Sequence, residues 1–253
     1  GKALAERGIH VLCEKPMAPS YDAAVALAQA CEAAGVTLGI AQKRRVTRAA
    51  AFMKEHLFND FGAPRSFNYR YQPGQVPMDW FWAEDDGGGP IVENAVHVMD
   101  SLRYLIGEIK AIRGIGGNFF NSKHPNQVDV ALGLLEFENG CVGAVELGTA
   151  VEWCIADEEF HIACDNAVVR WRGGFDNPSE IIWILRDNQE QQSYQIDYSG
   201  AMGPRDFEAE IRDLMTCAQT GSTPRASGYD AARSVACCQA LKQAVREGCV
   251  VEL

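Results

Sequence analysis

The chain has 253 residues, of which 47% are hydrophobic and 23% charged, a balance typical of a globular protein with a substantial buried core. Its 23 Lys and Arg against 34 Asp and Glu give a net charge of −11, which repels polyanions and excludes nucleic acid as an expected partner. No window holds the roughly eighteen uninterrupted apolar residues of a membrane span, so we expect no membrane partner either.

The first quarter of the chain alternates predicted strands and helices. Ser20 is a suitable N-cap for a helix, and Gly35 is suited to end it. The predicted elements are a strand at 9–13, a helix at 21–34, a strand at 36–41 and a helix at 46–58. This alternation indicates a parallel α/β sheet. Because the sequence starts within a predicted last helical turn, we expect residues 1–61 to be the C-terminal part of a doubly wound α/β domain cut at its N-terminus.

The pattern changes after residue 61. A helix is predicted at 90–106, and short alternating runs follow it, separated by turn residues such as Glu138-Asn139-Gly140. The predicted strands are 65–72, 109–115, 128–137, 141–149, 158–164, 167–171, 180–185 and 192–198, and two helices follow at 205–219 and 229–247. We predict residues 62–253 to be an α+β domain with a large, mainly antiparallel open sheet, whose final helix can pack back on the first domain.

The tripeptide Glu14-Lys15-Pro16 closes the first predicted strand. Open α/β sheets bind ligands at the carboxyl ends of their strands, which is where Lys15 is expected. The proline restricts the Lys15 backbone to extended geometry. An ammonium group there could stabilise the alkoxide that develops as a hydride leaves an alcohol. Taken alone, the tripeptide is also compatible with a solvated strand end.

Glu93, His97 and Asp100 fall on one face of the predicted helix at 90–106. Histidine titrates near neutral pH, and a carboxylate partner can fix its tautomer, so the pattern is typical of a general base. A half-exposed histidine with solvated acids is the alternative. The same residue types can bind a metal ion, but no second histidine lies at ligand spacing, and we predict no metal site.

Other residues are weaker candidates. Trp80 and Trp82 could stack on a sugar, or could cover a core. Arg44 follows the second strand and could reach a cofactor, or could belong to a solvated basic cluster.

The nine cysteines are dispersed without a Cys-x-x-Cys pair, which favours reduced thiols and a cytoplasmic protein. Cys13 is the one thiol close to the tripeptide, and no Gly-x-Ser-x-Gly elbow is present.

The segments 10–16, 87–100 and 205–253, taken together and in this order along the chain, resemble the Gfo/Idh/MocA (glucose-fructose oxidoreductase / inositol dehydrogenase) family. The resemblance implies a Rossmann domain, a second domain with an open sheet, and hydride transfer between NAD or NADP and a sugar, polyol or related hydroxy or carbonyl compound. It places the family's lysine at Lys15 and its histidine at His97. A typical member has aspartate where this chain has Glu93.

These observations together give the predicted site. The expected catalytic residues are Lys15, Glu93 and His97. The expected cofactor contacts are Glu14, Lys15, Pro16 and Arg44. The expected substrate contacts are Lys15, Trp80, Trp82, Glu93, His97 and Asp100.

Three further expectations concern cofactor, partners and an alternative function. The sequence has no Gly-x-Gly-x-x-Gly loop, so we expect this chain to bind NAD or NADP weakly or not at all, whereas a longer parent would bind one of them. Besides a small-molecule substrate, the expected partner is a second copy of the chain, bound through the open sheet. The alternative function is a non-catalytic sugar-binding or assembly module of the same fold.

Overall fold

A parallel pair of strands and a helix form the first part of the fold. In the computed structural model, which describes residues 1–150, 157–174, 179–196 and 204–253, residues 11–13 pair in parallel with residues 38–40. The elements are α1 (Lys2–Ala5), β1 (Val11–Cys13), α2 (Tyr21–Ala33) and β2 (Leu38–Ile40). The predicted cap of α2 is confirmed, because Ser20 Oγ accepts the amide of Ala23 at 3.3 Å.

The next helix begins later than the sequence predicts. A 3-10 turn covers Lys43–Val46, and α3 covers Arg48–His56. Thr47 is extended and its Oγ1 accepts the amide of Ala50 at 3.2 Å, so Thr47 is the N-cap. The predicted start at residue 46 was therefore wrong by two residues, because the basic run before it coils into its own tight turn.

The rest of the chain is built on one nine-stranded sheet. Its order is β10-β9-β8-β7-β3-β6-β5-β4-β11, and every pair is antiparallel except β3 with β6. The strands are β3 (Pro64–Gln72), β4 (Ile109–Gly117), β5 (Val130–Phe137), β6 (Val142–Gly148), β7 (Asp157–Cys164), β8 (Ala167–Arg172), β9 (Ser179–Leu185), β10 (Gln191–Ile196) and β11 (Val250–Glu252). The predicted α/β fold with a large, mainly antiparallel sheet is confirmed. Residues 197 and 198 of the last predicted strand lie outside the described residues.

The sheet has one buried and one open face. In β5 the buried and exposed residues alternate, and Gly140 provides the left-handed residue (φ 83°) of the predicted turn into β6. The buried face carries stacked rings such as Tyr69 and Phe160, whose centroids are 4.6 Å apart. The open face exposes apolar side chains, namely Ile115, Leu132, Leu134, Val142, Val168 and Ile184.

Helices pack on the buried face. The helices after β3 are α4 (Asp79–Trp82), α5 (Pro90–Glu93), α6 (Ala95–Leu105), α7 (Pro204–Thr220) and α8 (Gly228–Glu247). Side chains of α5, α6 and α8 belong to the core of the large sheet, whereas α7 contacts the 3-10 turn and β1. Helix α8 packs against α2 and also against β4. Its first half contributes Ala232 and Val235 to the core around β1 and β2, and its second half contributes Cys238 and Leu241 to the core of the large sheet. One helix thus belongs to both hydrophobic cores.

None of the helices in the described residues combines the length and apolar character that crossing a bilayer requires.

Candidate active site

The Lys15 side chain meets the start of the histidine-bearing helices. Lys15 follows β1, its bond to Pro16 is cis, and its side chain is 16% exposed. Lys15 Nζ donates to Glu93 Oε1 at 2.6 Å and to the Glu93 backbone carbonyl at 3.0 Å. Residues 78 positions apart are therefore joined at the carboxyl edge of the parallel strands. The tripeptide therefore contacts the helical segment that carries His97.

The predicted single helix at 90–106 is divided at Asn94 into α5 and α6. In an unbroken helix the His97 amide would donate to the Glu93 carbonyl, four residues back. Here the His97 amide donates to the Asn94 carbonyl at 3.2 Å, and the Glu93 carbonyl accepts from Lys15 Nζ instead. The prediction of one continuous helix was wrong because a side chain from a distant loop takes one of its backbone acceptors.

His97 is buried and neutral at physiological pH. The exposed fraction of His97 is 6%. Burial lowers the pKa of His97 well below 6.5, and the positive charges of Lys15, Arg44 and Lys43 lower it further. Its Nδ1 is buried without a hydrogen-bond partner in the described part of the chain. A neutral imidazole beside a lysine can accept a proton from a hydroxyl group.

The Glu93 carboxylate contacts Lys15. Its Oε1 is bound to Lys15, and no hydrogen bond joins it to His97 within the described residues. Burial raises the pKa of Glu93, although the charge of Lys15 acts in the opposite direction. The structure thus gives Glu93 a contact with Lys15, and the support of His97 by Glu93 stays a prediction.

Asp100 is held in the core by an arginine. Arg45 donates to both of its oxygens, from Nε at 2.8 Å and from Nη2 at 2.6 Å. Ser234 of α8 adds a third hydrogen bond at 3.1 Å, and Asp100 is 1% exposed. The expectation that Asp100 contacts the substrate is corrected, because its carboxylate is fully engaged in a buried ion pair between α6 and the basic turn after β2.

The two tryptophans have different surroundings. Trp82 is 3% exposed, its Nε1 donates to the Val76 carbonyl at 2.8 Å, and its ring stacks on His124. It belongs to a small core, so the expectation that Trp82 stacks on a sugar is corrected. Trp80 is 50% exposed, and its predicted sugar contact stays a prediction.

A clamp from the last helix holds the glycine triplet that precedes α5. Lys242 Nζ donates to both oxygens of Glu84 at 2.7 Å and to the Gly88 carbonyl at 2.9 Å. Gly89 has φ 78°, and a Cβ there would lie 2.3 Å from Gln127 Oε1. Sequence reasoning missed this clamp, although a lysine among the small apolar residues of a predicted helix could have signalled it.

Arg44 is buried in an ion pair with Glu158. Its Nη1 and Nη2 donate to the two Glu158 oxygens at 2.8 and 3.3 Å, and Nη1 also donates to Tyr69 Oη at 2.9 Å. The two side chains are 2% and 3% exposed. The expectation that Arg44 contacts the cofactor is corrected, because its guanidinium joins the turn after β2 to strands β3 and β7.

We expect Arg44→Met to destabilise the fold strongly. Removing one partner of a buried, hydrogen-bonded ion pair costs about 3–5 kcal/mol. The free energy of unfolding, measured by urea denaturation, should fall by that amount. Arg65→Met is the matched control, because it breaks the exposed Arg65–Asp165 pair and should leave the urea midpoint nearly unchanged. Equal losses in the two variants would contradict the assigned role of Arg44.

The described residues contain no group of three or more His, Cys, Asp or Glu side chains that could hold a metal ion. Burial raises the pKa of the Cys13 thiol, so Cys13 has less thiolate character than a free cysteine.

Glu14, the first residue of the tripeptide, is exposed, and its Oε2 accepts a hydrogen bond from the Lys15 amide at 3.3 Å.

Two family models match the chain. One, the GFO/IDH/MocA C-terminal domain, matches residues 58–170, and the other, an oxidoreductase family with an NAD-binding Rossmann fold, matches residues 1–42. The 2,7-anhydro-N-acetylneuraminate hydratase of Escherichia coli strain K12 is 30% identical over 151 residues, which are 57% of this chain. Levoglucosan dehydrogenase of Pseudarthrobacter phenanthrenivorans is 29% identical over 174 residues, again 57% of this chain.

The matches cover these relatives only in part. The chain spans 40% of the hydratase and 44% of the levoglucosan dehydrogenase. Among solved structures, a levoglucosan dehydrogenase in complex with NADH and levoglucosan superposes with a TM-score of 0.88 at 22% identity, covering all of this chain and 75% of that one. At this identity the superposition establishes the fold.

Proposed function

Because the chain belongs to the Gfo/Idh/MocA family of oxidoreductases, we propose that it carries the reaction centre of an NAD- or NADP-dependent enzyme. The substrate is a sugar, a polyol or a related hydroxy or carbonyl compound, and the reaction is hydride transfer. The observation that supports this most is the meeting of Lys15 with the Glu93 to His97 segment at the edge of the parallel strands.

Each side chain has one role in the proposed reaction. His97 takes the proton of the substrate hydroxyl, because burial and nearby positive charge keep its imidazole neutral. Lys15 donates a hydrogen bond to the same oxygen and stabilises the developing alkoxide. Glu93 holds the Lys15 ammonium in place through a 2.6 Å ion pair. The buried surroundings of α6 exclude water from this proton transfer.

The residues present fit the nicotinamide end of the cofactor. The loop of Glu14, Lys15 and Pro16 lies at the carboxyl edge of β1, and Lys15 in this loop contacts the carbonyl of Glu93, four residues before His97. Lys15 and Pro16 would hold the nicotinamide, and the bound cofactor supplies the hydride acceptor. The printed sequence has no glycine-rich phosphate loop, so the proposal includes weak dinucleotide binding by this chain alone.

Turnover with a set of polyols tests the proposal. The full-length protein is mixed with NAD⁺ or NADP⁺ and with levoglucosan, myo-inositol or D-xylose. The absorbance of the reduced nicotinamide is then followed. We expect a substrate-dependent increase with at least one pair. No increase with any pair, in a preparation shown by calorimetry to bind the cofactor, would contradict the proposed reaction.

A non-catalytic module that binds sugars or assembles with itself is the second candidate. It is favoured by the contact of Glu93 with Lys15, which leaves His97 without a carboxylate partner in the described residues. Such a module would bind the same polyols without reducing a nicotinamide. Binding measured by calorimetry in the absence of turnover would select this candidate.

We further propose that the open sheet face joins two copies of the chain. Ile115 and Leu134 are 68% and 60% exposed in neighbouring strands, and a contiguous apolar surface of this kind favours association. Light scattering should give a dimer or larger oligomer, and Leu134→Glu should reduce its mass. Phe58→Glu, at an exposed apolar site outside the sheet, is the control and should leave the mass unchanged. A monomeric wild-type protein would contradict this proposal.

A further inference from the structure

Two buried nitrogen atoms at the α5–α6 junction have no partner among the described residues. They are Asn94 Nδ2 and His97 Nδ1. A buried polar group without a hydrogen bond costs about 1–3 kcal/mol, and such groups are few in folded proteins. Two of them three residues apart therefore mark a place where hydrogen-bonding capacity is not used by the described residues.

The backbone fixes the position of Asn94. Its amide donates to the Pro90 carbonyl at 3.1 Å, and its carbonyl accepts from His97 at 3.2 Å. A spacing of three residues in helical backbone places the side chains of Asn94 and His97 on one face, one turn apart. The side chains of the neighbours Ala95 and Val96 are buried and apolar, so these side chains offer the amide no hydrogen bond.

Lys15 reaches the same junction from the loop after β1. Its Nζ binds the carbonyl of Glu93, the residue directly before Asn94. The Lys15 ammonium, the Asn94 amide and the His97 imidazole thus lie within one turn of helical backbone. The nitrogen atoms of Lys15 and of the Asn94 amide can only donate hydrogen bonds, whereas a neutral His97 ring has one nitrogen that accepts a hydrogen bond.

We propose that Asn94 is a substrate-binding residue that recognises a second oxygen of the substrate. This inference rests on the proposed function, in which His97 and Lys15 act on the reacting hydroxyl. The Asn94 amide, one turn away, then donates to an oxygen on a carbon next to the reacting one. The substrate class is a compound with adjacent oxygens, such as a vicinal diol. A site built to bind such an oxygen rejects analogues that lack it, because the amide would again be unpaired.

Nuclear magnetic resonance of the side-chain amide tests the assignment directly. The protein labelled with ¹⁵N is titrated with myo-inositol, in which every carbon has an oxygen-bearing neighbour, and with cyclohexanol, which has a single oxygen. We expect myo-inositol to shift the Asn94 NH₂ resonances and cyclohexanol to leave them in place. Asn94→Leu, which removes the donor, should raise the Kd for myo-inositol by tenfold or more.

Two other variants keep the test independent of folding. Asn94→Asp preserves the size of the side chain and replaces the donor by an acceptor, so it should weaken myo-inositol binding as well. Asn188→Leu, at an exposed turn where Asn188 Oδ1 accepts the Glu190 amide, is the control and should leave the Kd unchanged. The circular dichroism of each variant shows whether it is folded.

The outcomes separate this proposal from the proposed function. Unchanged Asn94 resonances on saturation with myo-inositol, or an unchanged Kd in Asn94→Leu and Asn94→Asp, would overturn the assignment. Failure of the wild-type protein to bind myo-inositol would overturn it too. Shifted resonances without nicotinamide reduction would leave Asn94 as a binding residue while the oxidoreductase reaction fails.

Discussion

His97→Ala is expected to lower kcat by about 10²–10⁴-fold, the contribution of a well-placed general base, with little change in cofactor affinity. The reason is that His97 combines burial, a neutral imidazole and an unpartnered nitrogen beside Lys15. Steady-state kinetics with the best polyol of the set, and calorimetry for the cofactor, measure the two quantities. His161→Ala is the control, because His161 is exposed on β7 in a pair with Glu159.

The pH dependence gives an independent check of the same role. The pKa of His97 is lowered well below 6.5, so the imidazole stays neutral as the pH falls through 6.5. The acidic limb of the kcat/KM profile should therefore lie below pH 6.5. A near-normal kcat in His97→Ala would contradict the role of His97, and an acidic limb above pH 6.5 would contradict its low pKa.

Lys15→Met is expected to lower kcat by about 10²–10³-fold, the loss seen when one donor to a developing oxyanion is removed. The substitution also removes a positive charge that lowers the pKa of His97. The acidic limb of kcat/KM should consequently move to higher pH, a change that loss of packing alone would not produce. Lys15→Arg keeps the charge and should keep the limb close to its wild-type position.

Lys110→Met is the matched control, because Lys110 lies exposed on β4 in the large sheet. Its kinetics and pH profile should match those of the wild type. If Lys15→Met changed KM for the substrate but left kcat and the acidic limb in place, Lys15 would be a binding group and would have no part in stabilising the alkoxide.

Local signals were sufficient to predict much of the fold. The Ser20 cap, the alternation of buried and exposed residues in β5 and the turn at Gly140 each depend on a few neighbouring residues, and all three are seen. The choice of Lys15 and His97 also came from short motifs. Their proposed catalytic roles stay predictions until the kinetics above are measured.

The errors concern residues whose partners are distant in sequence. Arg44 pairs with Glu158, which is 114 positions away, and Arg45 pairs with Asp100, which is 55 away. A sequence pattern shows that these groups are charged but not which charge faces them. The division of the helix at Asn94 has the same origin, since it depends on Lys15, 78 positions before Glu93.

The placement of α8 in both hydrophobic cores has a consequence for how the protein unfolds. If the region around β1 and β2 unfolded, the first half of α8 would lose its packing contacts. The second half of the same helix packs against the large sheet, so the disturbance would reach that sheet. Neither region can lose its structure without exposing apolar surface of the other. We therefore expect heat or denaturant to unfold both regions in one cooperative transition, in which the contact between Lys15 and Glu93 is lost as well.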